Sequence, residues 1–241
     1  MRTLKNPFIT SSYESAEYFC DREQESRNLI REVTNGNNLA LISTRRMGKT
    51  GLIRHAFYRL KEQQPDIDTF YLDIYSTQSL GDFVRLFAST VLGQLDSVPK
   101  VTIDVAPAEE ENTLKEIFEY LGSSEKRCYV AIDEFQQIVE YPEKGVEALL
   151  RSYIQFLPNV NFIFAGSKQH QIQEMFTSSR RPFYQSTQPL TIGPIQRDEY
   201  ASFATGHFAE HNVKLHQEVF NSIYEKYEGH TWYVQCLLNR L

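Results

Sequence analysis

The sequence is poor in cysteine and has no long apolar run. Its 241 residues include three cysteines, Cys20, Cys128 and Cys236, far apart and without C-x-x-C spacing. That odd, scattered set argues against a disulfide framework and against a cysteine-based zinc site, and it suits a reducing compartment. Arg2 and Lys5 make the start basic, but no apolar stretch of signal-peptide length follows. No run comes near the roughly 18 apolar residues that span a bilayer. The expectation is a cytoplasmic protein with no membrane partner. Positive charge is not in excess either. The formal net charge is −6, so there is no bulk electrostatic footprint for nucleic acid. Internal repeats and low-complexity segments are missing as well. What remains is ordinary for a globular chain, 41% hydrophobic and 23% charged. It is long enough for one good core with a smaller second lobe.

Residues 1–18 are polar and aromatic with no clear period, and are expected to drape over the surface. Asp21 is a candidate N-cap for a helix carrying Leu29, Ile30 and Val33, with Arg22, Glu23 and Glu25 in its first turn. The turn Asn35-Gly36-Asn37-Asn38 leads into a first strand, Leu39-Ala40-Leu41-Ile42. A helix with apolar positions at Leu52, Ile53, Ala56, Phe57 and Leu60 follows, until Gln64-Pro65 breaks it. A second buried strand runs from Thr69 to Tyr75. Ser79 to Asp82 starts a helix whose apolar face carries Phe83, Leu86, Phe87, Val91, Leu92 and Leu95. Residues 97–111 have the least regular pattern, and the acidic run Glu109-Glu110-Glu111 reads as a solvated approach to a helix. Thr113-x-x-Glu116 is a capping-box signature ahead of Leu114, Ile117, Phe118 and Leu121.

A third strand, Cys128 to Ile132, ends in Asp133-Glu134, and a helix is expected over 143–157. A fourth strand, Asn161 to Ala165, runs into Gly166-Ser167-Lys168. A fifth, near Leu190-Thr191-Ile192, ends at Gly193-Pro194. Strands alternating with helices predict an α/β fold, a parallel sheet covered on both faces over about residues 20–195. From Gln196 onward the pattern is helical only. Its last segment starts near Thr231 and reaches Leu241 without a cap, which reads as a chain that continues.

The chemistry gathers at the ends of strands, where ligands sit in a parallel α/β sheet. Ser43-Thr44-Arg45-Arg46-Met47-Gly48-Lys49-Thr50 lies between the first strand and its helix. In that setting, loop and helix-terminal N–H groups converge on an anion. Lys49 would reach the terminal phosphates and the Thr50 hydroxyl would be a ligand of Mg²⁺. Ser43 stands where the strict G-x-x-x-x-G-K-[ST] pattern has its first glycine. The bland alternative is a helix N-terminus with a chance Gly-Lys-Thr. About 80 residues later, the apolar strand ending in Asp133-Glu134 lowers the weight of that alternative. Asp133 would hold Mg²⁺, directly or through water, and Glu134 would orient and deprotonate the attacking water, while Ser167 could bond a phosphate or that water.

These motifs resemble those of the archaeal- and bacterial-type ATPases of the STAND group, P-loop NTPases close to the AAA+ proteins. The resemblance runs along nearly the whole chain. Phe19-Cys20-Asp21-Arg22-Glu23-x-Glu25 is similar to the family's opening h-h-G-R-x-x-E, with Asp21 in place of glycine. Arg45 to Thr50 resembles its R-R-x-G-K-T loop, Ile132-Asp133-Glu134 its Walker B, and Gly166-Ser167 its sensor 1 position. Arg181-Pro182-Phe183-Tyr184 resembles the loop before the fifth strand. Ser186 stands where relatives often have an arginine, which leaves Arg180 or Arg181 for any arginine-finger role. Gly229-His230-Thr231 resembles the lid's G-h-P, with Thr231 replacing proline.

The resemblance implies a five-stranded sheet in the order 5-1-4-3-2, an NTPase core over 1–195 and a helical lid over 196–241. A winged-helix domain would follow the lid. It implies nucleotide contacts from Arg22, Arg45, Arg46, Met47, Gly48, Lys49, Thr50, Gly51 and His230. Mg²⁺ would be held by Thr50 and Asp133, and catalysis would fall to Glu134, Lys49 and Ser167. The implied function is an Mg²⁺-dependent ATPase module of a regulatory switch, binding ATP or ADP. The alternative is a nucleotide-binding regulator with little hydrolysis, resting in its ADP state. Self-association or a protein effector are the partners left open, and nucleic acid is unsupported.

Other features compete for attention. His207-Phe208-Ala209-Glu210-His211 spells H-x-x-E-H, a zinc-peptidase signature, and is a remote alternative. That class needs a further acidic ligand well downstream, and little chain follows. Tyr71, Tyr75, Phe83 and Phe87 read as core rather than as a base-stacking platform. His230 stays open between a nucleotide-facing lid residue and a helix-start residue with no ligand.

Overall fold

The computed structural model describes residues 6–10, 13–20, 22–93, 106 and 109–241. The expected N-cap Asp21, the apolar position Leu95 and most of 97–111 lie outside them. The elements are α1 (Glu23–Thr34), β1 (Leu39–Ile42), α2 (Lys49–Gln63), β2 (Ile67–Asp73), α3 (Leu80–Leu92) and α4 (Glu110–Ser123). After β3 (Arg127–Asp133) comes a 3₁₀ helix, Phe135–Glu140, then α5 (Val146–Ile154), β4 (Val160–Gly166), α6 (Gln169–Thr177) and β5 (Gln188–Thr191). Three helices close the chain, α7 (Arg197–Glu210), α8 (Gln217–Lys226) and α9 (Thr231–Leu238).

All five strands are parallel, in the order β2-β3-β4-β1-β5. This is the expected 5-1-4-3-2 order of a P-loop NTPase. β1 and β4 are buried at every position, which explains their unbroken apolar sequences: a central parallel strand has no wet face. Alternate residues still part company. Val130, Ile132, Phe162 and Phe164 join a core with Phe83 and Phe87 of α3 and Phe118 of α4. Tyr129, Ala131, Ile163 and Ala165 join a second core with Leu29 and Val33 of α1 and Leu52 and Leu60 of α2. Each fully buried Leu or Phe of this kind contributes roughly 1.5–3 kcal/mol. The Ser79 hydroxyl caps α3, accepting from the Asp82 N–H at 3.2 Å, a bond whose loss costs about 1 kcal/mol. Register levels the strand ends: Ile42 pairs with Gly166 and Asp73 with Asp133. The segments leaving β1, β3 and β4 therefore emerge along one rim.

Three local expectations are corrected. α4 begins at Glu110, with Thr113 inside it and no side-chain cap. The acidic run supplies the first turn, where carboxylates suit the positive end of the helix dipole, so there is no capping box at Thr113. The helix expected over 143–157 is shorter, because Gly145 takes a left-handed φ of 81° ahead of Val146. Nor does the described N-terminal segment simply drape: Phe8 is buried in a third core with Phe208, Phe220, Val234 and Leu238. Its ring meets Phe203 edge-on at 6.3 Å.

Candidate functional site

The loop from β1 to α2 is held by its own lysine. Ser43 is fully buried. Its hydroxyl accepts from Lys49 Nζ at 3.2 Å and donates to the Thr44 carbonyl at 2.9 Å, and Lys49 Nζ also donates to that carbonyl at 3.3 Å. The serine in the first glycine position thus gives the ammonium a partner. Burial lowers the Lys49 pKa, against the opposing pull of Asp133 and Glu134. Gly48 closes the loop at φ 91°, a conformation that suits glycine, and Arg46 is left-handed too, at φ 63°.

Across the rim, the Thr50 hydroxyl donates to Asp133 Oδ2 at 2.9 Å. A hydroxyl and a carboxylate so close are hard oxygen donors of the kind Mg²⁺ accepts, so the residues fit that ion. Asp133 Oδ1 accepts the Glu134 N–H at 3.0 Å, an arrangement made by the left-handed φ of 57° at Glu134. Glu134 Oε2 accepts from Ser167 Oγ at 2.7 Å and from Gln136 Nε2 at 2.6 Å. Gly166 makes room for that amide, since a Cβ there would collide with the Gln136 side chain.

Tyr71 and Gln136 are site residues that the motifs do not announce. Tyr71 donates to Asp133 Oδ2 at 2.7 Å, and Tyr75 is exposed beneath the Arg45 guanidinium. Of that aromatic group Phe83 and Phe87 are buried in one core, Tyr71 packs partly buried against the other, and Tyr75 alone lies outside. No signal in the local sequence separates these pairs, because the strand register decides which tyrosine reaches the carboxylate.

The same rim borders a cleft of about 640 Å³, lined by Arg45, Arg46, Gly48 to Gly51, Asp133 and Glu134. Its opposite wall comes from the two ends of the chain. Tyr13 and Phe19 contribute from the N-terminal segment, and Thr231, Trp232 and Gln235 from α9. Phe19 packs where a Cβ on Gly51 would stand, 3.2 Å from its ring. Arg46 stacks on Trp232, its guanidinium carbon 4.2 Å from the ring centroid. His230 precedes α9 in the N-cap position, its ring against Tyr233 at 4.8 Å. It does not border the cleft, and its Nδ1 is buried without a partner among the described residues.

Arg22 joins the two walls. It is 1% exposed. One terminal nitrogen donates to the Met47 carbonyl at 2.8 Å, the Gly193 carbonyl at 2.9 Å and the Thr231 hydroxyl at 3.3 Å. The other pairs with Glu25 at 3.0 Å. Burial lowers its pKa, with Glu25 opposing. Arg22 and Met47 therefore meet each other at the cleft's base, the arginine bordering the cleft and the methionine side chain buried.

The competing motifs gather no site. His207 is buried, bonded to Glu210 at 3.1 Å and packed on Tyr18 and Phe203, which overrides the peptidase reading. No group of three His, Cys, Asp or Glu suited to a metal occurs among the described residues. Arg181 is held by Glu147 at 2.7 Å, and neither it nor the exposed Arg180 borders the cleft. Among the described residues no helix is long and apolar enough to cross a membrane.

The fold is similar to the Walker-type ATPase paby2304 of Pyrococcus abyssi, with TM-score 0.71 and 22% identity over 95% of this chain and 69% of that one. It is also similar to the ADP form of the Aeropyrum pernix ORC2 protein (TM-score 0.68, 16% identity, 95% and 63% covered). A third likeness is to the RuvB Holliday junction branch migration motor of Thermotoga maritima (0.57, 13%, 97% and 65%). The chain spans less than two thirds of the last two proteins, and at these identities the likeness is one of fold. No curated protein matches the sequence. The profile of one family, an ATPase domain predominantly from Archaea, matches residues 19–237, and with agreement over that much of its length this protein belongs to that family.

Proposed function

We propose that this protein binds ATP with Mg²⁺ in the cleft, hydrolyses it, and acts as a nucleotide-controlled switch of the STAND type. One observation carries the reading: Lys49 and the Thr50–Asp133 pair border one cleft with Glu134, whose carboxylate is bonded in turn by Ser167 from the end of a third strand. Phosphoryl transfer asks little covalent chemistry of a protein beyond positioning and charge neutralisation. Lys49 would exchange its bonds to Ser43 and Thr44 for phosphate oxygens, beside Arg45 and Arg46. Thr50 and Asp133 would hold the magnesium ion, which supplies charge neutralisation at the phosphates when bound. Glu134 would take the proton of the attacking water, with Ser167 fixing its carboxylate. Residues 196–241 would act as the lid over the 1–195 core and pass the nucleotide state to a second copy or a protein effector.

A second reading, a nucleotide-binding regulator with little hydrolysis, draws on one fact. Glu134 Oε2 already accepts two hydrogen bonds, from Ser167 and Gln136, and a carboxylate so engaged is less free to move toward water. Calorimetry and a turnover assay on the same sample test both. Charged hydrogen bonds to phosphate contribute roughly 1.5–3 kcal/mol, so Lys49→Ala should weaken ATP binding by ~10- to 150-fold. Unchanged affinity would remove the phosphate-loop assignment, and tight binding without turnover in the parent would favour the regulator.

A further inference from the structure

Asp133 is only 4% exposed, and its carboxylate is already well supplied with donors. Oδ1 takes the Glu134 N–H. Oδ2 takes both the Thr50 hydroxyl at 2.9 Å and the Tyr71 hydroxyl at 2.7 Å. A carboxylate has about four acceptor positions, two on each oxygen, so those of Oδ2 are both filled. The Thr50 hydroxyl donates its proton away, which leaves its oxygen able to meet a cation, with the Tyr71 hydroxyl standing 3.4 Å from it as a longer second contact. The Tyr71 bond is different: it occupies the one acceptor position through which Oδ2 could still approach an ion.

The arrangement is built rather than incidental. Tyr71 lies directly opposite Ala131 in the β2–β3 register, and Asp73 opposite Asp133. Tyr71 therefore shares a face with Asp133 and reaches it diagonally, a span open to a long aromatic side chain, past a neighbour with only a methyl group. From the helix side, the Arg54 guanidinium carbon stands 4.5 Å from the centroid of the Tyr71 ring. Arg54 follows Thr50 by one helical turn, so α2 holds both ends of the set.

We infer that Tyr71 is a positioning residue that selects the cation, keeping Oδ2 of Asp133 from direct coordination and so favouring an ion that draws few oxygens from the protein and retains its waters. The inference rests on the nucleotide-binding reading of the cleft. Mg²⁺ dehydrates reluctantly and usually keeps several waters, whereas Ca²⁺ accepts carboxylate oxygens directly in flexible geometry. With Tyr71 in place, Asp133 has at most one open acceptor position, on Oδ1, which suits the hydrated ion and excludes the two-oxygen grip that Ca²⁺ accepts. Removing the hydroxyl opens Oδ2 and gives Ca²⁺ a ligand it lacked.

The test is Tyr71→Phe, which keeps the ring and its contact with Arg54. ADP affinity is measured by calorimetry in EDTA, in Mg²⁺ and in Ca²⁺, so no turnover enters. Relative to each protein's own affinity in EDTA, Ca²⁺ should gain in the variant at least about fivefold on Mg²⁺ in its enhancement of ADP affinity. In an Asp133→Asn background the same change should produce no gain. A Ca²⁺-to-Mg²⁺ ratio unchanged by Tyr71→Phe would overturn the inference. So would a gain that persists in the Asp133→Asn background. Failure of the parent to bind ADP under any of the three conditions would defeat the reading of the cleft itself, and the inference with it.

Discussion

One wall of the cleft grows out of the sheet, while the other is assembled from the two ends of the chain. The sheet wall is anchored in two large apolar cores on either side of β1, β3 and β4, so its carboxylates and its lysine are placed by strand register. The opposite wall has its own core, which Phe8 and Cys20 share with α7, α8 and α9. It meets the phosphate loop through the Arg22 bonds to Met47 and Thr231 and through the Arg46–Trp232 stack. Apolar packing fixes the first wall in one place. The second wall is held to it by the packing of Phe19 on α2 and by polar and cation–π contacts, each worth about 1 kcal/mol, and these last can be exchanged for contacts with a ligand.

The largest effect should fall on the sheet wall. Glu134→Gln is expected to lower hydrolysis by at least ~100-fold while ATP binding survives, because it removes the base and little of the metal site. Equal turnover in variant and parent would sink the assignment. The next effect belongs to the joint. Arg22→Met should cost about 2–3 kcal/mol of stability, since it leaves two carbonyls short of a charged donor and Glu25 without its cation. A denaturant midpoint that does not move would show that the walls are not joined there. The smallest effect concerns the second wall alone. With ATP·Mg, hydrogen exchange should slow at 43–50 and also at 227–235, and the Arg46→Ala variant should lose only the second protection, a change of about 0.5–1 kcal/mol. Protection confined to 43–50 in the parent would mean that the wall made by the chain ends does not read the nucleotide.

The sheet wall is legible in the sequence, and the opposite wall is not. Lys49 and Thr50 announce themselves by a contiguous motif, and Asp133-Glu134 by an apolar strand that ends abruptly in carboxylates. Strand order comes with the family resemblance that these motifs carry, and not from the apolar runs themselves. Tyr71 carries no such mark. Its role depends on lying opposite Ala131 and diagonal to Asp133, a relation between distant parts of the chain. Gln136 belongs to a 3₁₀ turn whose period is too short to register as a helix. The sequence points to residue 230, whereas 231 and 232 border the cleft: the helix start is visible, but not the direction from which α9 approaches. The N-terminal segment hides itself most completely, because aromatics without a period look the same whether they cover a surface or complete a core.

Arg22, Arg46 and Glu134 account for half of the six non-glycine residues with positive φ among those described, and all three border the cleft. A side chain in the left-handed region costs about 1–2 kcal/mol relative to its relaxed backbone. At Arg22 and Glu134 the hydrogen bonds made there more than offset it. At Arg46 they do not, since an exposed cation–π contact is worth only about 0.5–1 kcal/mol. Glycine at position 46 would therefore sit more easily in the fold than the arginine does. The arginine at this turn thus takes more from the endurance of the fold than it returns, which leaves its value to be sought in what the cleft does.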